Sequence, residues 1–290
     1  MPADPAQPAV GGFGARLMRA VGIKGALCAG IDPHPALLEL WGCRDDVAGV
    51  ERFALHAVEA LAPVVAMIKP QSAFFERYGA AGIAVLERVL AVAREAGTLV
   101  VLDVKRGDIG STMAGYAAAY LADGAPLAAD AITASPYLGV GALDPAFELA
   151  GGTGRGVFVL ALTSNLEGAG IQAAVTATGH TVAQSVVDAV AARNAGRHPI
   201  GDFGVVVGAT APVGQLRLGE LNGPILAPGI GAQGARMRDL CTVFATAAPP
   251  VVAAISRELL RHGPQPQALR HAARRFAEEA ASLGHPGPCR

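Results

Sequence analysis

Charge is scarce in this 290-residue chain: Asp, Glu, Lys and Arg make up 16 % of it and leave a formal net charge of −1. So thin and balanced a supply offers nucleic acid no basic surface and anionic membranes no polybasic patch. Any anionic ligand has to be met by a few local groups. Cysteine is sparse as well. Cys28, Cys43, Cys241 and Cys289 form no Cys-x-x-Cys pair, which argues against a zinc ribbon or a disulfide scaffold and fits a reducing compartment. No apolar run reaches the roughly 18 to 20 uninterrupted residues of a spanning helix. Residues 1–14 lack a basic segment followed by an apolar one, so a loose tail is expected there rather than a signal peptide. These absences describe a soluble, cytoplasmic protein without a membrane or nucleic-acid partner. Neither His-Glu-x-x-His nor Gly-x-Ser-x-Gly occurs, which removes the commonest zinc-protease and serine-hydrolase signatures.

Short apolar runs are present instead, at 26–31, 64–68, 99–104, 131–134, 157–162, 205–207, 225–227 and 251–255. Between them, residues 51–61, 83–95, 112–121, 182–193, 235–245 and 267–283 carry helical periodicity; helices after the fourth and sixth runs are less clear. About eight strands alternating with helices is the count of a closed parallel (β/α)8 barrel, although an open doubly wound sheet shows the same alternation. The placement of polar residues favours the barrel. Asp32, Lys69, Asp103 with Lys105, Ser135, Thr163 with Ser164, and Ser256 with Arg257 close successive runs, and in a barrel those ends share one mouth, where active sites lie. No linker, repeat or low-complexity tract divides the chain, so residues 1–290 are expected to form one barrel domain. Within it, 166–200 is an extended loop and helix segment, and its Gly/Ala/Thr-rich part at 166–179 is a lid candidate, although a harmless surface insertion fits the length as well.

Gly229-Ile-Gly-Ala-Gln-Gly234 is formally a G-x-G-x-x-G, but the next strand brings no acidic residue for a dinucleotide ribose. A phosphate cradle, with backbone N–H groups at a helix start and Arg257 adding a bidentate contact, suits the same residues better. In barrels, phosphate sites recur after the seventh and eighth strands. His34, between two prolines and without a second ligand at metal spacing, is read as a loop histidine.

The chemistry concentrates in Leu99-Val-Val-Leu-Asp-Val-Lys-Arg-Gly-Asp-Ile-Gly-Ser-Thr112. A period of two puts Asp103 and Lys105 on one face of a buried strand. Charges there must compensate each other or serve a reaction, and a structural ion pair is one reading. Lys69 and Asp32, ending earlier strands, extend the pair toward an alternating array of two lysines with Asp32, Asp103 and Asp108.

From Gly30 to Arg257 the chain resembles the orotidine 5′-phosphate decarboxylase family. Asp103-Val-Lys105-Arg-Gly-Asp108-Ile109-Gly-Ser-Thr112 fits that family's Asp-x-Lys-x-x-Asp-Ile-x-x-Thr signature. Pro228-Gly-Ile-Gly-Ala-Gln233-Gly and Ser256-Arg257 are similar to its phosphate-binding end. The resemblance implies a β/α-barrel homodimer that converts orotidine 5′-phosphate (OMP) to UMP and CO2 in pyrimidine biosynthesis, without metal or organic cofactor. It implies that Lys105 protonates C6, that Asp103 lies beside the departing carboxylate, and that Lys69 with Asp32 holds the ribose hydroxyls. Asp108, Ile109 and Thr112 would complete the neighbouring subunit's site. Ser164, in Leu162-Thr-Ser-Asn165, resembles the pyrimidine-contacting serine. Arg106 is read as a solvated or interface arginine. Two enzyme alternatives remain open: a Mg²⁺-dependent sugar-phosphate decarboxylase or aldolase, which expects an acid where Lys69 stands, and a Schiff-base aldolase. A phosphate-ligand-binding barrel without activity is the non-enzymatic one.

Overall fold

Eight apolar runs buried on both faces have nowhere to go but a sheet covered by helices. In the computed structural model, which describes residues 11–231, 234–248 and 250–283, they are β1 (Leu27–Ile31), β2 (Met67–Pro70), β3 (Leu99–Arg106), β4 (Ala131–Ala134), β5 (Gly156–Leu162), β6 (Phe203–Val207), β7 (Ile225–Pro228) and β8 (Val251–Ile255). They pair in parallel and in chain order, and β8 closes on β1 through Leu27 opposite Ala253. The expected (β/α)8 barrel is therefore formed.

Helix α1 (Phe13–Lys24) precedes β1. Then α2 (Pro35–Leu40) and α3 (Val47–Leu61) follow β1, α4 (Ala73–Glu76) and α5 (Gly79–Glu95) follow β2, α6 (Gly110–Leu121) follows β3, and α7 (Asp144–Thr153) follows β4. The segment after β5 holds α8 (Ala169–Gln172) and α9 (Val182–Asn194); α10 (Asp239–Val243) follows β7, and α11 (Arg257–Leu260) and α12 (Pro266–Leu283) follow β8. Among the described residues no helix lies between β6 and β7, where Pro212, Gly214, Gly219 and Pro224 interrupt the chain.

Three expectations shift. Strand β2 starts at Met67 rather than residue 64, because the Val64 and Val65 N–H groups both turn back to the Leu61 carbonyl at 2.9 and 3.2 Å; Lys69 consequently lies within the strand. The helix expected from 235 starts at Asp239, since Ala235 is held in a bridge with Ile230 and Asp239 Oδ2 accepts the Arg236 N–H at 2.7 Å. The tail expected to run to Gly14 is shorter, because Phe13 and Gly14 already belong to α1.

That helix closes the base of the barrel. Phe13 and Leu17 are fully buried among Cys28, Met67 and Val101, and the Phe13 ring stands edge-on to Phe158 at 5.7 Å. The start of α1 is pinned by Asp202, whose Oδ1 accepts the Gly14 N–H at 2.8 Å. Any side chain at Gly14 would come within 2.4 Å of the Gly201 carbonyl, so the close approach demands glycine. Along β3 the inner face then rises from Leu99 and Val101 in this apolar plug to Asp103 and Lys105, while Val100, Leu102 and Val104 pack outward against the helices.

Candidate active site

The polar face of β3 is shaped by a break in its ladder with β4. Val101 and Leu102 pair with Ala131 and Ile132, but the next partner of β4's Ala134 is Arg106, so β3 covers Leu102 to Arg106 while β4 covers only Ile132 to Ala134. A bulge of this kind re-aims side chains at the rim of a barrel. Lys105 sits in it with φ +47°, left-handed backbone that costs a non-glycine residue about 1–3 kcal/mol unless its surroundings hold it. Its main-chain N–H, deprived of a ladder partner, donates to Thr133 Oγ1 at 2.9 Å.

Asp103 is the hub. Lys105 Nζ donates to Oδ1 at 2.5 Å and the Thr133 hydroxyl to the same oxygen at 2.8 Å. Lys69 Nζ donates to Oδ2 at 2.8 Å, and the Gln71 side-chain nitrogen, turned toward the carboxylate, reaches Oδ2 at 2.6 Å. Four donors match the roughly four lone-pair positions of a carboxylate, so Asp103 is saturated. Its side chain and that of Lys69 are 9 % and 11 % exposed, whereas the Lys105 side chain is 44 % exposed. Burial alone would raise the Asp103 carboxyl pKa, but the ammonium groups of Lys69 and Lys105 override it and hold the acid well below the usual carboxylate range. Burial likewise pulls Lys69 down, and Asp103 and Asp32 more than reverse that, so its ammonium is held charged. Beneath them burial pushes the Cys28 thiol up to about 12.

Asp32 leaves β1 beside this cluster, and its buried Oδ1 has no hydrogen-bond partner among the described residues. Ser256 Oγ at the end of β8 is in the same condition. Gly30 makes room for that serine, since a Cβ there would stand 2.5 Å from Ser256 Cβ. Unsatisfied buried oxygens are rare in folded proteins and mark places where a ligand or solvent belongs. His34 caps α2, its Nδ1 accepting the Ala36 N–H at 3.3 Å, in keeping with a loop histidine.

Asp108, Ile109 and Thr112 stand apart from the hub. Asp108 Oδ1 accepts the Ile109 N–H at 2.8 Å, Ile109 is 62 % exposed, and Thr112 is exposed on the first turn of α6. The adjacent loop after β4, whose Ser135 carbonyl abuts Gly107, exposes Tyr137 and Leu138. Arg106 is less solvated than expected: its Nη2 meets Glu76 Oε1 at 2.8 Å, its Nε meets the Tyr120 hydroxyl at 3.4 Å, and its guanidinium lies over the Tyr116 ring.

At the other side of the mouth, Pro228 ends β7 with its carbonyl accepting the Ala209 N–H at 2.7 Å. The glycine turn is partly self-satisfied, as Gly231 N–H bonds Ala235 O and Gly234 N–H bonds Gly231 O, so fewer N–H groups are free for an anion than the sequence pattern implies. Nor does the turn open a helix directly. Gln233 lies outside the described residues. Arg257 opens α11, is exposed, and makes no ion pair among the described residues. Ser164 follows β5 with its backbone against Gly208. The lid candidate is anchored at its start, where Thr163 and Gln172 exchange two hydrogen bonds of 2.9 and 2.8 Å, and Val175 bridges Thr181. Leu166, its first residue, is nevertheless 90 % exposed.

Thr133 and Gln71 escaped the sequence reading. A lone threonine in Ala-Ile-Thr-Ala reads as an ordinary strand former, and Gln71 follows the Lys-Pro that ends its strand; the available signal was parity, since both fall on the inward positions set by Ala131 and Lys69. Among the described residues no three His, Cys, Asp or Glu side chains converge in a way that would hold a metal ion, and no helix is long and apolar enough to cross a membrane.

Residues 25–272 match the family model described as orotidine 5′-phosphate decarboxylase / HUMPS family. The orotidine 5′-phosphate decarboxylase of Salinispora tropica is 60 % identical over 263 residues, 91 % of this chain and 95 % of that protein. Its counterpart in Streptomyces coelicolor is 58 % identical over 269 residues, 92 % and 96 % of the two chains. A crystal structure of a Streptomyces avermitilis relative, 56 % identical, matches with a TM-score of 0.92 over 97 % of this chain and 99 % of that one. With the match spanning the barrel from its first strand into its last helix, the chain belongs to the orotidine 5′-phosphate decarboxylase / HUMPS family.

Proposed function

We propose that this chain, as one barrel domain in a cytoplasmic homodimer, decarboxylates OMP to UMP and CO2. The observation that carries the reading is the saturated Asp103 carboxylate clamped between Lys69 and Lys105 at the barrel mouth. Breaking the C6–carboxylate bond leaves its electron pair in an in-plane sp² orbital of the pyrimidine, which the ring π system cannot delocalise. A fixed positive charge is then the effective stabiliser, and one held in place before the reaction acts without reorganising. Lys105 supplies it: its ammonium is tied to Asp103 yet half-exposed toward the mouth. The C6–CO2 bond breaks, CO2 departs, and a Lys105 proton moves to C6; the neutral amine regains a proton from solvent. Asp103, a fixed anion beside the substrate carboxylate, opposes the bound ground state and is relieved as CO2 leaves.

The other assignments are those the family resemblance implies. Asp32, with its unpartnered buried oxygen, and Lys69 hold ribose hydroxyls. Ser164 contacts the pyrimidine. Pro228, Gln233, Ser256 and Arg257 form the phosphate end, where Arg257 makes no ion pair among the described residues. Contacts so far from C6 contribute binding energy that fixes the reacting end. Asp108, Ile109 and Thr112 serve the partner's site, which suits their separation from their own hub and the apolar exposure of Ile109, Tyr137 and Leu138. A Schiff-base role for Lys69 is disfavoured because its neighbours keep it protonated.

The test follows OMP absorbance in the ultraviolet with wild type and Lys105→Ala. Wild type is expected to consume OMP, and the variant to bind UMP but turn over at least about a thousand-fold more slowly, in line with losing one preorganised charge. Unchanged decay in the variant overturns the mechanism; no decay with wild type overturns the function.

A further inference from the structure

The bulge in β3 leaves two problems that a single side chain solves. Lys105 adopts φ +47° with no strand partner for its N–H, and Asp103 Oδ1 has to be aimed at the Lys105 ammonium rather than into the apolar plug below. Thr133, on the facing strand and 2 % exposed, accepts the Lys105 N–H at 2.9 Å and donates its hydroxyl to Asp103 Oδ1 at 2.8 Å. The donation to Asp103 and the acceptance from Lys105 use the one proton and one of the lone pairs of a single oxygen. We propose that Thr133 is a positioning residue for the decarboxylation, holding the left-handed turn at Lys105 and the carboxylate that aims its ammonium through one hydroxyl.

The proposal rests on the decarboxylase reading for its kinetic consequence, but its structural content does not. Thr133 is buried, and its hydroxyl bonds only to Lys105 N–H and Asp103 Oδ1 among the described residues, so it acts through those two groups. Valine in its place keeps the β-branched shape and burial while deleting both hydrogen bonds. Serine keeps the hydroxyl and drops a methyl group. A packing role and a positioning role therefore separate cleanly: packing is preserved by valine, positioning by serine.

Thr133→Val and Thr133→Ser are compared with wild type in OMP turnover, thermal unfolding and backbone amide exchange at Lys105. Thr133→Val is expected to lower kcat about ten- to a hundred-fold, the loss that goes with a hydrogen bond to a charged group, while KM stays within about two-fold because the contacts at the phosphate end are untouched. Exchange at the Lys105 amide should accelerate in the valine variant, with Val101 unchanged. Thr133→Ser is expected to restore both kcat and amide protection to within a few-fold of wild type. Wild-type kcat and unaltered Lys105 exchange in a folded Thr133→Val protein overturn the proposal, as does a serine variant no better than the valine one. If wild type fails to turn OMP over, the decarboxylase reading falls, and the amide exchange still decides whether Thr133 holds the turn.

Discussion

The two ends of the Lys69–Asp103 pair should be strongly coupled, so that removing both costs clearly less than the two single losses added together. The nitrogen and oxygen are 2.8 Å apart and both side chains are nearly buried. At an effective dielectric constant near 20, two unit charges at that distance attract by about 6 kcal/mol, against a desolvation penalty of several kcal/mol for each ion. Lys69→Met keeps the length of the side chain and leaves Asp103 with Lys105, Thr133 and Gln71, so about 2–3 kcal/mol of stability should be lost. Asp103→Asn is worse, because an amide turns two N–H donors into a space already occupied by donors and strands a buried ammonium; about 3–5 kcal/mol is expected. The double variant should then be about 2–3 kcal/mol more stable than the sum of the single losses. Urea unfolding at one fixed protein concentration, with m-values compared, measures all four corners of the cycle. The pH dependence follows from the directions of the shifts. Asp103 is held below its unfolded pKa of about 3.9, so its contribution is fully present above that pH and fades as the solution is acidified below it. Lys69 is held above its unfolded value of about 10.4, so its contribution is present below that pH and fades only at stronger alkalinity. The stability gap between wild type and Asp103→Asn should accordingly be flat from about pH 5 to 9 and narrow below about pH 4. Single losses under about 1 kcal/mol, or additivity within about 0.5 kcal/mol, would refute the buried-hub reasoning.

A mixed dimer with Lys105→Ala on one chain and Asp108→Ala on the other should keep about half of wild-type turnover, one intact site, although each homodimer of the variants is inactive; a mixed dimer as inactive as its parents would place Asp108 in its own subunit's site. Phe13→Ala empties the base of the barrel and should cost about 3–5 kcal/mol in urea unfolding, with kcat unchanged at low temperature because the plug lies at the end opposite Lys105; a loss under about 1 kcal/mol would show that α1 is peripheral.

The strand–helix alternation was legible because each strand is an apolar run and each long helix carries a 3.6-residue period. Helix α1 was not, even though Phe13, Leu17 and Val21 recur at helical spacing, because two glycines and a proline-rich approach resemble a tail. The β2 boundary slipped because Val64 and Val65 look like strand but finish a turn, something only the pairing of Cys28 with Met67 decides. At the site, Asp103, Lys105 and Lys69 stood out because charge in an apolar run has to be explained, and the structure brings these three together. Thr133 and Gln71 stayed hidden because uncharged polar side chains provoke no such question. The glycine turn was over-read: its pattern shows N–H groups, whereas its internal bonds to Ala235 and Gly231 depend on a bridge that spacing cannot reveal.

The bulge and its neighbours have a further consequence for how the molecule divides. Asp32, Lys69, Gln71, Asp103, Lys105 and Thr133 all come from β1 to β4 or the residues that directly follow them, whereas Ser164, Pro228, Ser256 and Arg257 come from β5 to β8. Under the proposed assignments the barrel divides into two halves, the first carrying the charge cluster and the ribose contacts, the second the contacts to the pyrimidine and the phosphate. A chain cut in the exposed stretch around Leu166 would separate the charge cluster from the proposed phosphate contacts, and activity regained on mixing the two fragments would report their reunion.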